Sequence, residues 1–259
     1  MKSAIYYFSA TGNSLYAARR IAESLGAEAP ASVVDAGRGG GDEEAELVGL
    51  AFPVYLHKAP RIVLDFLSAS HFAEGAYVFA VATHNGGPGS CMRGVGASLR
   101  KGGSRLASGF GLLMPGNSVV IADMTNPPEE RALRLGGADA ALESIVAAVL
   151  SRERNDFGRR EGAGSWLESR FFGAVISAYK VPRHFRASEG CARCGLCVRA
   201  CPKSNIAMGE IGPVWGRDCE LCLACFHSCP AKAIDLDAYT KDRLRYRHPK
   251  IGLEELLYR

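Results

Sequence analysis

Two patterns place this chain in the α/β class, as a doubly wound parallel sheet followed by a small cysteine-rich α+β unit. From residue 4 to about residue 150, short apolar runs alternate with amphipathic stretches, as expected of a parallel sheet covered by helices on both faces. Between residues 191 and 230 the chain carries eight of its nine cysteines, in two runs of the same spacing. At 259 residues and 47% hydrophobic composition, the chain can bury one large core or two unequal ones.

Strands are expected at residues 4–8, 47–52, 77–82 and 109–114, with a weaker one at 32–35. The first helix is marked by Leu15, Ala18, Ile21, Ala22 and Leu25, which share one face and stop at Gly26, a residue suited to a left-handed C-cap. Pro60 opens the second, as a first helical position before Ile62, Val63, Phe66 and Leu67. Met92, Val95 and Leu99 mark a third, and Leu142, Ile145, Val146 and Val149 a fourth. Residues 37–46 form a glycine and acid loop, and the charged, aperiodic stretch 151–165 fits a domain boundary. Beyond it, Leu167, Phe171, Val175 and Tyr179 make an apolar stripe on a helix ending near Pro182. Packing between domains accounts for that stripe more simply than a membrane-surface helix.

The expected division is therefore residues 1–155 for the sheet domain, 156–186 for a linker with an interdomain helix, 187–240 for the cysteine unit and 241–259 for a tail. No apolar run reaches the roughly 20 residues of a bilayer span. The N-terminus enters a strand directly, without a hydrophobic segment and cleavage site, so a cytoplasmic protein is expected.

Cysteines in an intracellular chain serve metal or redox chemistry more often than disulfides. Here Cys191-x2-Cys194-x2-Cys197-x3-Cys201-Pro202 recurs as Cys219-x2-Cys222-x2-Cys225-x3-Cys229-Pro230, 28 residues later. Three thiolates at such short intervals can wrap three irons of one cube, while the fourth, three residues on and followed by proline, ligates the other cluster. On that rule one 4Fe-4S cluster takes Cys191, Cys194, Cys197 and Cys229, and the second takes Cys219, Cys222, Cys225 and Cys201. Zinc also accepts four thiolates, but structural zinc sites use two separated pairs of ligands rather than a dense run of three plus one.

Over about residues 187–240 the segment resembles the bacterial two-cluster ferredoxins. Ile206 and Ile234 are then apolar covers of a cluster, and Arg193, Arg199, Lys203 and Lys232 lie near anionic centres, where they act on the potentials, receive a partner or serve as plain surface. Two such clusters contribute about −4 in the oxidised state. That cancels the formal charge of +4, so the apparent basicity gives no reason to expect nucleic acid.

Directly after the first strand comes Ser9-Ala10-Thr11-Gly12-Asn13-Ser14, which leads into the first helix. Three hydroxyls, an amide and free backbone N–H groups at a helix N-terminus are suited to a phosphate. No lysine follows as in a triphosphate-binding loop, and G-x-G-x-x-G is absent, so a monophosphate fits better than ATP or a dinucleotide. With the strand before it, the loop resembles the S/T-x-T-G-x-S/T phosphate loop of the flavodoxins.

That resemblance covers about residues 1–155 and implies a five-stranded sheet of order 2-1-3-4-5, with FMN at the carboxyl ends of the strands. It also implies two ring-binding loops. One is Pro53, Val54, Tyr55, Leu56 and His57, where Tyr55 either stacks on the ring or caps the core. The other runs through Thr83, His84, Asn85, Gly86 and Gly87, whose glycines admit backbone amides to the ring edge. The second loop lacks an aromatic residue, which leaves one ring face open. His84 is either a donor to the flavin or a surface residue, Cys91 a buried thiol or a reactive one, and residues 114–117 a further lining segment.

Together the two halves resemble the flavodoxin and ferredoxin fusions of anaerobic bacteria and archaea. The resemblance implies an electron-transfer protein that joins FMN to two 4Fe-4S clusters and exchanges electrons with redox protein partners, ferredoxin-like or a reductase. No residue is assigned to acid–base catalysis in that reading. A flavin-dependent reductase of a small substrate, fed by the clusters, is the alternative. A redox sensor is the third class, though no DNA-binding motif accompanies it. The oligomeric state stays open, a homodimer included.

Overall fold

The computed structural model describes residues 2–37, 40–120, 122–155, 184–237 and 240–258. The helix expected over 167–179 lies outside them.

Five parallel strands form the first sheet: β1 (Ser3–Tyr7), β2 (Ala31–Ser32), β3 (Leu47–Pro53), β4 (Tyr77–His84) and β5 (Leu106–Leu113), in the order 2-1-3-4-5. This is the flavodoxin-like doubly wound order, with its switch point between β1 and β3. The central strands read as apolar runs because helices cover both of their faces; six of the seven β3 residues are buried.

Helices α1 (Asn13–Leu25) and α5 (Pro128–Leu150) cover one face, where Leu15, Ile21, Phe79 and Val149 pack together. On the other lie α2 (Val33–Ala36), α3 (Arg61–Ala69) and α4 (Cys91–Lys101), with Phe8, Phe52, Phe66 and Leu99 in contact.

The helix signals hold, with shifts at the ends. Gly26 is the left-handed C-cap at φ 61°, its N–H shared between the Ala22 and Glu23 carbonyls. Pro60 is the N-cap of α3 rather than its first helical residue, and α5 begins at Pro128, well before Leu142. The weak strand expected at 32–35 is corrected to a two-residue strand followed by a helical turn. There the Ser32 hydroxyl accepts the Val34 N–H at 3.1 Å, an N-cap that ends the strand.

The cysteine unit is a repeat in its backbone as well as in its cysteines. β6 (Phe185–Ala187), α6 (Leu196–Arg199) and β7 (Ile206–Met208) recur 28 residues later as β8 (Pro213–Trp215), α7 (Ala224–Ser228) and β9 (Ile234–Leu236). β6 pairs antiparallel with β9 and β7 with β8, so the halves are interlocked. Left-handed residues repeat at the same interval: Arg193 and Leu221, Gly195 and Leu223, Ser204 and Lys232.

Phe185, Ile206, Leu223, Phe226 and Ile234 fill the core of this unit, joined by Val119 from the segment after β5. Residues 240–258 then return across the sheet domain and bury Ile251 and Leu256 against the α1 face. Among the described residues no helix is long and apolar enough to cross a membrane.

Candidate functional site

The carboxyl ends of β1, β3, β4 and β5 open into a cavity of about 510 Å³. Ser9, Ala10, Thr11, Asn13 and Ser14 line it from the first loop, Pro53, Val54 and Tyr55 from the second, and Thr83, His84, Asn85, Gly86 and Gly87 from the third. Gly12 alone of the residues expected in these three loops is not a lining residue. It is the left-handed N-cap of α1 at φ 99°, and a Cβ there would lie 2.8 Å from that of His248.

The Ser9 hydroxyl accepts the Gly12 N–H at 3.1 Å, Thr11 Oγ1 accepts Asn117 Nδ2 at 2.9 Å, and the Ser14 and Thr83 hydroxyls share a bond of 2.8 Å. The backbone N–H groups of Ala10, Thr11, Asn13 and Ser14 have no acceptor among the described residues. Unused N–H donors at a helix N-terminus are what an anion requires. The Asn13 amide is not part of that donor set. Its Nδ2 donates to the Pro115 carbonyl at 2.9 Å and its Oδ1 accepts from Tyr246 Oη at 2.6 Å, so it braces the loop.

In the second loop Leu56 and His57 both take left-handed conformations, at φ 51° and 63°, and close a tight turn in which Tyr55 and Lys58 exchange two hydrogen bonds of 2.9 Å. The turn holds the Tyr55 ring edge-on to Phe8, with centroids 6.4 Å apart, while Tyr55 still lines the cavity. The Tyr55 hydroxyl is buried without a hydrogen-bond partner. Burial, then the nearby Cys222 and Glu220, push its pKa well up.

His84 is half-buried. Its Nδ1 is buried with no hydrogen-bond partner among the described residues, and burial followed by the nearby Arg134 charge lowers its pKa, which favours the neutral ring. Arg134, on α5, donates to the Asn85 carbonyl at 2.8 Å as well as to its side chain, and so clamps the third loop. Of the further lining segment, Pro115, Gly116 and Asn117 face the cavity, while Met114 is buried in the core. Cys91, 1% exposed, is buried too.

The remaining wall lies in the cysteine unit: Glu220, Leu221, Cys222 and Leu223. Glu220 Oε1 accepts the N–H groups of Arg61 and Ile62 at the start of α3, which fixes this wall to the sheet domain. Burial raises the Glu220 pKa against the lowering effect of Arg61. Ser118, Val120, Ala122 and Met124 complete the lining. Sequence reasoning misses Arg134 and the Glu220–Leu223 wall, since both come to the cavity by long-range packing that leaves no local pattern.

Cys197 lies in the field of Cys191 and Cys229, whereas Cys219 and Cys222 feel Cys201; Cys225 feels Cys219 and Cys201, and Cys197 more weakly. Burial pushes Cys197 and Cys219 up to about 11 and Cys225 up to about 12. Thiols so desolvated stay protonated unless a cation takes the charge.

Backbone N–H groups donate to sulfur, among them Asn205 to Cys201 at 3.2 Å, Leu221 to Cys219 at 3.3 Å and Ala233 to Cys229 at 3.3 Å. Among the described residues no three His, Cys, Asp or Glu side chains meet around a single metal ion. A cube differs in giving each cysteine its own iron. Cys194 is exposed, while Cys222 and Cys225 are each 8% exposed. Arg199 pairs with Glu254 at 3.1 Å and Lys203 with Asp218 at 3.1 Å, while Arg193 donates to the Gly209 carbonyl at 3.3 Å.

No protein-family profile matches the chain, and no curated protein matches it. Solved structures do. A flavodoxin from the domain Archaea is similar at 13% identity and a TM-score of 0.37, over 57% of this chain and 99% of its own. A flavodoxin of Streptococcus pneumonia TIGR4 is similar at 16% identity and a TM-score of 0.32, over 56% and 99%. The two-electron reduced flavodoxin of Megasphaera elsdenii is similar at 18% identity and a TM-score of 0.32, over 53% and 98%. At these scores they remain likenesses, and the assignment to the flavodoxin-like class rests on the sheet order.

Proposed function

We propose that this chain is an electron-transfer protein that holds FMN in the strand-end cavity and two 4Fe-4S clusters in the crossed cysteine sets. When bound, FMN exchanges electrons singly or in pairs and each cluster exchanges one, so the chain joins two-electron to one-electron partners. The observation that carries the reading is that the Ser9 to Ser14 loop and Cys222 line the same cavity.

The unused N–H groups of Ala10, Thr11, Asn13 and Ser14 supply donors for the FMN phosphate. Tyr55, His84, Asn85 and the glycines after it hold the ring system. Neutral His84 and the unpartnered Tyr55 hydroxyl are buried polar groups for which a ring with polar edges is a suitable partner. The backbone N–H bonds to Cys201, Cys219 and Cys229 favour thiolates and raise the potential of a bound cluster.

Leu221, Cys222 and Leu223 of the same chain line the cavity where a ring face without an aromatic cover would lie, which favours a carrier over a reductase of a small substrate. Redox proteins are then the external partners. Domain limits at 1–155, 187–240 and 241–259 are part of the same proposal.

Anaerobically purified protein is expected to contain about eight irons and eight sulfides per chain, together with about one extractable FMN. Zinc in place of iron overturns the cluster assignment. A chain that takes up no flavin on titration overturns the cavity assignment.

A further inference from the structure

Residues 240–258, most of the stretch expected as a tail at 241–259, contact the phosphate-type loop and contribute no residue to the cavity lining. We infer that Tyr246, carried on this strap, is a positioning residue for the loop that receives the FMN phosphate. The inference rests on the FMN reading above.

Four consecutive contacts bind the strap to the loop. Tyr246 Oη–H donates to Asn13 Oδ1 at 2.6 Å. The His248 N–H donates to the Thr11 carbonyl at 2.8 Å. His248 and Ile251 fill the space over Gly12 that a side chain would take. Tyr258 Oη–H donates to the Ser9 carbonyl at 3.4 Å.

Peptide geometry gives these contacts a consequence on the other side. In a trans peptide the C=O and the following N–H point in opposite directions. Holding the Ser9 carbonyl toward the strap turns the Ala10 N–H away from it, toward the cavity that Ala10 lines, while the Gly12 N–H that follows the held Thr11 carbonyl is taken by the Ser9 hydroxyl. Asn13, gripped by Tyr246 on one side and by the Pro115 carbonyl on the other, sets the first turn of α1 in register with them.

Tyr246 is itself fixed from the cysteine unit. Its N–H donates to His227 Nδ1 at 3.1 Å, and His227 Nε2 bonds the Asn117 carbonyl at 2.8 Å, which assigns the proton to Nε2. Asn117 Nδ2 in turn donates to Thr11 Oγ1 at 2.9 Å. A residue lying between Cys225 and Cys229 therefore reaches the loop by two routes, one of them through Tyr246.

The discriminating ligand pair is FMN and riboflavin, which share the ring and differ by the phosphate. The test titrates both into the full chain, with its iron in place, as wild type and as Tyr246→Phe, which removes one oxygen. The dissociation constant for FMN is expected to rise about tenfold, equivalent to about 1.4 kcal/mol, while riboflavin affinity, iron content and thermal midpoint stay as in wild type. Equal FMN affinity in the two proteins overturns the inference and leaves the FMN reading standing. Equal weakening of FMN and riboflavin also overturns it, because the effect then lies in the ring pocket or in the fold. A wild-type chain that binds neither flavin removes both readings together.

Discussion

Gly12 joins backbone conformation, packing and site at one residue. At φ 99° it holds a conformation that residues with a Cβ rarely adopt, and its missing Cβ makes room for His248 and Ile251. Gly12→Ala is expected to lower stability by about 2 kcal/mol or more, since backbone strain and the clash act together; chemical denaturation at neutral pH reads it. His248 adds a pH dependence. It is 2% exposed and stacked on Tyr16 with centroids 4.3 Å apart. Burial first, then the Lys250 charge, push its pKa down to about 4, with Asp139 acting weakly the other way. The folded state thus binds fewer protons than the unfolded chain below the ordinary histidine pKa of about 6.5. Its share of stability is complete above that pH and is lost as pH falls toward about 4, on the order of 3 kcal/mol at most. Denaturation midpoints at pH 7 and pH 5 should draw together in His248→Gln. A persisting gap of wild-type size assigns the acid sensitivity elsewhere.

Elements that a local period specifies were legible in the sequence, and those created by pairing were not. The apolar runs of β1, β3 and β4 and the stripe that ends at Gly26 encode their own structure, since both faces of a parallel sheet and one face of a helix must be buried. β2 was overstated because Ser32 caps a helical turn, a side-chain bond that competes with the strand. In the cysteine unit the 28-residue spacing was plain, whereas the strands of three residues carrying the same repeat are too short for any period to mark. Their exchanged pairing predicts how iron is lost. Cys201→Ala is expected to remove about four irons. Adding Cys222→Ala to it should remove few more, since both serve one cluster in the proposed assignment, while adding Cys194→Ala should empty the second. An equal further loss from either addition contradicts the crossed sets. The backbone N–H that meets Cys201 recurs at Cys229, so the paired experiment starting from Cys229→Ala should mirror the first.

No core of the molecule belongs to one half alone. Ala200, Cys222 and Ala224 pack with Phe8 and Phe52 beneath the sheet, Ile251 and Leu256 pack beside α1, and Val119 is buried with Phe185 and Phe226. None of these contacts follows from a local pattern, which is why the cavity they build was not legible in the sequence. On the proposed ligand sets, the one with Cys222 borders the cavity and buries Cys222 and Cys225, whereas the other carries the exposed Cys194. Because electron transfer weakens steeply with distance, the enclosed set should serve the flavin and the exposed set the outside partner. Cys194→Ala is expected to leave FMN reducible through the remaining cluster by a small reductant such as dithionite, yet to slow reduction by a ferredoxin at least tenfold. Cys222→Ala should do the reverse, with the surviving cluster still reduced by ferredoxin while the flavin lags behind it. Anaerobic stopped-flow absorbance resolves flavin from iron–sulfur bleaching in both variants. Equal flavin rates in wild type and Cys222→Ala would sever the link between this cysteine and the cavity it lines.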